Sequence, residues 1–338
     1  MKTSNEKKAL FIIQTPFQLF NAIEAAGRLE QGNYNTLVFI DRGNTKNREQ
    51  VLNGIALNKE TLFQEIIEIQ LITFKEKLLY AYILDTYDFI KEEYNSIYTA
   101  SFRNLSAHII NTIAHKQLII LDDGNNSISR LQKLSKNHYN KKHKIALQLI
   151  SKIILRKKTS TLFLNKAIFF TIYDSESTVK NEIVLNDYRY LKKFSKKPKN
   201  KDGIIIGSKC IDQKLTPDIF EQYISHLVTH IRNEGLQPIY IPHRHEDIDY
   251  LKKMAKNLNL EIRPLLTNIE LHFLNNETLP VRCYTIKSAA ADAMKSIFDV
   301  DIYYLKVNNN HISDGMRVSY ENIYQHFLNQ KYQEVVIK

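Results

Sequence analysis

Two adjacent carboxylates, Asp122 and Asp123, end the apolar run Leu118-Ile119-Ile120-Leu121 and precede Gly124. A carboxylate so placed can take a proton from an acceptor hydroxyl as a general base. Farther along, His243-Arg244-His245-Glu246 directly follows Pro238-Ile239-Tyr240-Ile241 and Pro242. A histidine at a strand end can hold or protonate a departing phosphate. Gly207-Ser208-Lys209 follows Gly203-Ile204-Ile205-Ile206, and its amides and lysine suit a phosphate or nucleotide. Ser288 opens an alanine-rich helix, and Glu270 opens a shorter one before it. Gln14-Thr15-Pro16 joins a first strand to a first helix, where polar groups and free amides suit an anion or a substrate. Carboxylates in one half with His, Arg, Ser and Lys in the other suit a donor with an anionic leaving group and an acceptor that loses a proton. Plainer roles exist for each: Asp122 and Asp123 as caps of a helix before Ser127, Ser288 as an N-cap, residues 207–209 as an ordinary turn.

The elements that hold these residues alternate. Strands are expected at 9–13, 36–40, 65–70, 96–99 and 118–121, with helices from Pro16 and over 47–57, 74–92 and 105–115. Such apolar runs suit a parallel sheet covered on both faces. Residues 127–160 read as helical and basic, and 161–173 as apolar and aromatic with further strand. The lysine-rich stretch 186–202 reads as a linker. A second alternation follows, with strands at 203–206, 238–241, 261–263, 281–285 and 301–305 and helices over 217–233, 249–258, 268–273, 288–296 and 320–329. The expected fold is α/β: two Rossmann-like domains, 1–190 and 191–338, whose strand ends face each other across a cleft. The last helix is expected to pack back on the first domain.

Composition narrows the classes. A chain of 338 residues with 43% hydrophobic content fits two folded domains. Nine glycines, with no Gly-x-Gly-x-x-Gly and no P-loop, exclude those nucleotide fingerprints. Cys210 and Cys283 lie too far apart for a zinc pattern or a disulfide framework. The net charge of +11 favours anionic partners. It is concentrated in Lys133 to Lys158 and Lys192 to Lys201, which suit an anionic glycan or an anionic inner membrane surface. No nucleic-acid motif accompanies the charge, so nucleic acid is not an expected partner. The apolar run at Ala9 to Ile13 is too short for a leader or a span, which predicts a cytoplasmic protein or one peripheral on the inner face of the plasma membrane. Asp247-Ile248-Asp249 starts a helix and Asp299-Val300-Asp301 enters a strand, so neither reads as a metal site for a nucleotide.

The order of these motifs resembles the bacterial sialyltransferases. Asp122-Asp123-Gly124 matches their acidic motif fully. Pro242-His243-Arg244 matches their His-Pro motif at the histidine, with Arg244 in place of proline. Ser288 stands singly where a serine-rich motif belongs. Thr15-Pro16-Phe17-Gln18 is similar to the start of the lipooligosaccharide group. The resemblance implies a glycosyltransferase B fold with an acceptor-binding first domain and a CMP-donor-binding second domain. It implies inverting transfer of a nonulosonic acid (sialic acid or a relative such as pseudaminic or legionaminic acid) from a CMP-linked donor. The acceptor would be a capsule or lipooligosaccharide glycan, in lipid-linked form among others, and neither metal nor cofactor would be needed. Asp122 or Asp123 would be the base, the family pattern favouring Asp122. His243 would assist departure of the CMP phosphate, Ser288 would share its charge, and Glu270 would hold the cytidine ribose. Gly207, Ser208, Lys209 and Arg244 complete the expected donor side, with Gln14 and Thr15 as substrate contacts. The alternatives are a transferase using CMP-Kdo or a UDP-sugar, and a non-catalytic polyanion-binding protein.

Overall fold

The computed structural model describes residues 7–57, 62–102, 104–124, 127, 156–158, 160–173, 181–211 and 215–336. The chain divides into two compact units, Met1–Tyr190 and Leu191–Lys338. In the first, the apolar strand β1 (Lys8–Ile13) lies between β2 (Tyr34–Asp41) and β4 (Glu93–Thr99), with Phe11 opposite Leu37 on one side and Tyr98 on the other. β3 (Glu65–Gln70), β5 (Ala114–Leu121), β6 (Ile168–Thr171) and β7 (Ile183–Leu185) complete a seven-stranded sheet of order β3-β2-β1-β4-β5-β6-β7. Every described pairing in it is parallel. The order reverses between β1 and β4, the kind of switch point at which ligands of open α/β sheets bind.

Thr15 caps the first helix, α1 (Pro16–Leu29), through its hydroxyl, and Pro16 takes the first helical position. Three polar residues on α1 are buried: Gln18, Asn21 and Glu24. Spaced by three, they share one face. Asn21 Oδ1 accepts from Asn186 Nδ2 at 3.2 Å and from the Tyr188 hydroxyl at 3.3 Å, and Glu24 accepts from the Tyr190 amide at 3.1 Å. The Tyr190 ring lies 2.5 Å from where a Cβ on Gly27 would stand, so only glycine admits this close approach. Residues 186–190 therefore pack as part of the first unit, and the expected linker is shorter than its composition suggests.

After α2 (Thr45–Leu57), the single helix expected over 74–92 is instead α3 (Phe74–Leu78), α4 (Tyr80–Leu84) and a 3-10 turn at Asp88–Lys91. The Thr86 hydroxyl takes the Ile83 carbonyl at 2.7 Å and closes α4, a local competition that threonine favours. α5 (Leu105–Thr112) ends earlier than expected, and β5 begins at Ala114. Residues 127–160 lie mostly outside the described residues.

In the second unit, β8 (Asp202–Ile206) is followed by α6 (Pro217–Asn233), β9 (Gln237–Ile241), α7 (Ile248–Leu258), β10 (Glu261–Ile262) and α8 (Ile269–Asn275). Then come β11 (Arg282–Thr285), α9 (Ala290–Phe298), β12 (Asp301–Leu305), α10 (Asp314–Asn329) and β13 (Gln333–Val335). The order β10-β9-β8-β11-β12-β13 reverses between β8 and β11, and the described pairings are again parallel. Two short strands, β7 and β13, were not expected. Within its unit, α10 is tied to α9: Asp292 lies 3.0 Å from His326 Nε2 and accepts from the Tyr332 hydroxyl at 2.7 Å.

Part of the second lysine run serves the fold. Lys197 Nζ donates to the carbonyls of Phe273, Leu274 and Asn276 at the end of α8, and Lys199 Nζ to the Asp299 carbonyl at the end of α9. Lys192, Lys193, Lys196 and Lys201 are exposed. No helix among the described residues is long and apolar enough to cross a membrane.

Candidate functional site

The Asp122-Asp123 pair leaves the sheet at the carboxyl end of β5, and the two carboxylates have different surroundings. Asp122 is 2% exposed. Its Oδ1 accepts from the Thr171 hydroxyl at 2.7 Å and its Oδ2 from the Ile172 amide at 2.8 Å. It fastens the end of β5 to the end of β6. Asp123 is half-buried, and its Oδ1 accepts from Gln18 Nε2 at 2.9 Å. The Asp123 amide donates to the Ser127 hydroxyl at 2.8 Å, and the Ser127 amide to the Gly124 carbonyl at 2.9 Å. Gly124 has φ +62°, the left-handed conformation that the Asp-Gly pair announces.

Gln18 was missed by sequence reasoning. It is 4% exposed, and its Oε1 accepts from the Gln14 amide at 2.8 Å while its Nε2 holds Asp123. One side chain thus couples the ends of β1 and β5. A glutamine in the otherwise apolar Pro16-Phe17-Gln18-Leu19-Phe20 was the available signal. Gln14 is half-buried, with Nε2 at 3.3 Å from Ser106 Oγ and its carbonyl accepting from Asn47 at 2.8 Å. Thr15 spends its hydroxyl on the Gln18 amide at 3.3 Å.

In the second unit most candidates fall at the carboxyl ends of β8, β9 and β11, and Glu270 follows the edge strand β10. Gly207 follows β8 and presses on the turn after β9: a Cβ there would lie 2.4 Å from Glu246 Oε2 and 2.8 Å from both the His243 nitrogen and the Ile241 oxygen. His243 is half-buried in that turn. Its amide donates to Glu246 Oε2 at 2.7 Å, while Glu246 Oε1 accepts from the Tyr240 hydroxyl at 2.8 Å. Glu246 is therefore an internal brace; the helix cap is Asp247, which accepts from the amides of Asp249 and Tyr250. Ser208 Oγ lies 3.2 Å from Cys210 Sγ, and Lys209 is half-buried beside it. Ser288 follows β11, and its hydroxyl accepts from the Ala290 amide at 3.4 Å at the entrance to α9. Lys287, also missed, is buried at the same strand end, with Nζ 2.7 Å from Ser319 Oγ and 4.3 Å above the Tyr320 ring. Glu270 is buried in the first turn of α8 and accepts from Asn268 Nδ2 at 2.7 Å. Asp299 closes α9 in a left-handed cap and pairs with Lys295 at 2.8 Å. Among the described residues no three His, Cys, Asp or Glu side chains converge as metal ligands would.

Burial pushes both buried glutamates up to about 7, against an ordinary 4.5. The Tyr240 hydroxyl and His243 amide act against that rise at Glu246. The Glu270 amide, the Asn268 side chain and the Arg244 charge do so at Glu270. A folded-state pKa above the unfolded value means that the folded unit keeps protons the unfolded chain has released. Stability from these groups is therefore full below about 4.5 and is lost as pH rises to about 7. Denaturant midpoints measured across that window should fall with rising pH, and Glu246→Gln should flatten the slope. An unchanged slope would count against a raised pKa at Glu246.

No protein-family model matches the chain, and no curated protein matches it. Solved structures do. A protein described as a UDP-N-acetylglucosamine 2-epimerase from Listeria monocytogenes aligns over 89% of this chain and 79% of its own, at 10% identity and a TM-score of 0.51. TcCGT1 in complex with UDP aligns over 98% of this chain and 86% of its own, at 8% identity and a TM-score of 0.51. A sialyltransferase from Photobacterium damsela aligns over 98% of this chain and 82% of its own, at 12% identity and a TM-score of 0.48. At such identities the likeness shows the fold alone. That fold is two parallel α/β units of the glycosyltransferase B type.

Proposed function

We propose that the chain is a glycosyltransferase that moves a nonulosonic acid from a CMP-linked donor to a hydroxyl of a bacterial surface glycan, with inversion and without a metal. One observation carries the reading. In each sheet the candidate groups gather at the carboxyl ends of the central strands, acid in the first unit, histidine and serine in the second. The first unit then takes the acceptor and the second the donor. Asp123 is the base: it is half-buried and braced by Gln18, whereas both oxygens of Asp122 hold Thr171 and Ile172. The acceptor hydroxyl attacks the anomeric carbon and gives its proton to Asp123 as the bond from that carbon to the CMP phosphate oxygen breaks. His243 and the Ser288 hydroxyl receive the charge on the departing phosphate, with Lys209 and Arg244 adding positive charge nearby in sequence. Glu270 holds the cytidine ribose, as the motif order implies. Gln14 and Thr15 line the acceptor side. The protein works in the cytoplasm, in peripheral contact with an anionic inner membrane where lipid-linked acceptors lie.

Direct assay tests this. With CMP-N-acetylneuraminic acid, CMP-pseudaminic acid, CMP-Kdo and UDP-sugars offered in EDTA beside a glycan acceptor, only a CMP-nonulosonic acid should release CMP. Turnover of a UDP-sugar would keep the fold and replace the donor. Absence of turnover with all of them would favour a polyanion-binding role.

A further inference from the structure

The stretch after β3 exposes four large apolar side chains within eleven residues. Phe74, Leu78 and Tyr82 are 82%, 39% and 39% exposed, and Ile72 beside them is 47% exposed. Phe74 and Leu78 are spaced by four on α3 and share its exposed face, and Tyr82 continues the apolar ridge on α4. The opposite face of α4, Tyr80, Ala81 and Leu84, is built into the core, so the ridge is fixed to the sheet. Its start is fixed too. Glu76 Oε2 accepts from the amides of Ile72 and Thr73, both at 2.8 Å, and the Thr73 hydroxyl accepts from Glu76 at 3.2 Å.

Cations accompany this ridge. Lys75 is exposed on α3 beside Phe74 and Lys77 is half-buried beside Leu78, and Arg42, Arg156 and Lys158 are exposed in the same unit. Arg156 lies 5.2 Å from the Tyr82 ring centroid and Lys157 4.5 Å from that of Tyr80. The acids close by are Glu76, whose carboxylate is engaged by the helix-start amides, and Asp85 and Asp88, of which Asp88 pairs with Lys91 at 3.1 Å.

We propose that this ridge docks the protein on an anionic lipid bilayer, with Phe74, Leu78 and Ile72 entering the interface and the accompanying cations meeting headgroups. Phenylalanine and leucine flanked by lysine and arginine is the composition of interfacial helices. The core of a protein–protein interface is instead depleted of lysine. The ridge begins after the carboxyl end of β3, and Gln14 and Asp123 follow the carboxyl ends of β1 and β5 in the same parallel sheet. A membrane held there lies on the acceptor side of the proposed site. The inference deepens the membrane contact proposed above, but it stands on surface geometry and needs no particular donor.

Sedimentation with vesicles tests it on the full chain. Wild type should bind vesicles containing about a third phosphatidylglycerol, release in high salt, and ignore pure phosphatidylcholine. Phe74→Ser with Leu78→Ser should weaken that binding by at least about tenfold, and Lys75→Glu should weaken it in low salt only. All these side chains are exposed, so melting curves should match wild type. If the double variant binds as wild type does, or wild type does not bind, the proposal fails. It also fails if light scattering shows a dimer that the double substitution dissolves. Nucleotide binding measured on the same variants separates a failure here from a failure of the donor assignment.

Discussion

Asp123→Asn is expected to lower transfer by about 10²- to 10⁴-fold, the range that a positioned base contributes. Asparagine keeps an oxygen for Gln18 Nε2, which now lies 2.9 Å from the Asp123 carboxylate, so folding and nucleotide binding should be unchanged. Asp122→Ala should act differently. It strips the Thr171 hydroxyl and the Ile172 amide of their acceptor, at a cost of about 1–3 kcal/mol for each buried group left unpaired. Its signature is a lower denaturant midpoint, with activity lost as the fold is lost. Rates and midpoints on both variants separate the roles. Full activity in Asp123→Asn would remove it as the base and return the role to Asp122, which the motif order alone favours.

Gly207→Ala is the second large effect. The new methyl would press on the Glu246 carboxylate at 2.4 Å and on two backbone atoms of the β9 end at 2.8 Å. A side chain could swing aside, but the strand end is held by parallel pairing of β9 with β8. The turn carrying His243 must therefore move. A displacement of about 1 Å at a reacting group can cost on the order of 10²-fold in rate, and overpacking costs about 1–3 kcal/mol in stability. The variant should thus lose at least that much activity while still folding. Glu246→Gln is the contrast: it keeps one oxygen for the His243 amide and should retain most activity. Wild-type rates in Gly207→Ala would show that the His243 turn has no part in catalysis.

The placement of the candidate residues at strand ends is legible in residue order, because buried strands announce themselves. Leu118 to Leu121 is buried and stops at the acids, and Gly203 to Ile206 is buried and stops at Gly207. What could not be read is how the groups are braced. The Asp122 partners lie 49 and 50 residues away at the end of β6, and Gln18 lies 105 residues from Asp123. No local pattern encodes such contacts; the sheet order creates them. Glu246 stands beside the true helix cap, Asp247, yet burial against Tyr240 turns it inward, which the local sequence does not encode. The apolar spacing over 74–92 suggests one helix, but that spacing belongs partly to exposed residues rather than to the core. Lysines suggest a linker over 186–202, though Tyr188 and Tyr190 within it are buried.

Thermal stabilisation of the full chain by CMP, beside UDP, ADP and GDP, in EDTA, tests the cytidine donor. A ligand that binds only the folded state at a hundredfold excess over Kd adds about 2.7 kcal/mol, enough to raise Tm by several degrees. A shift with CMP alone is expected, reduced in Glu270→Ala. A shift with UDP or ADP in place of CMP would contradict the cytidine donor while leaving the fold intact, and no shift with any nucleotide would contradict the transferase reading itself.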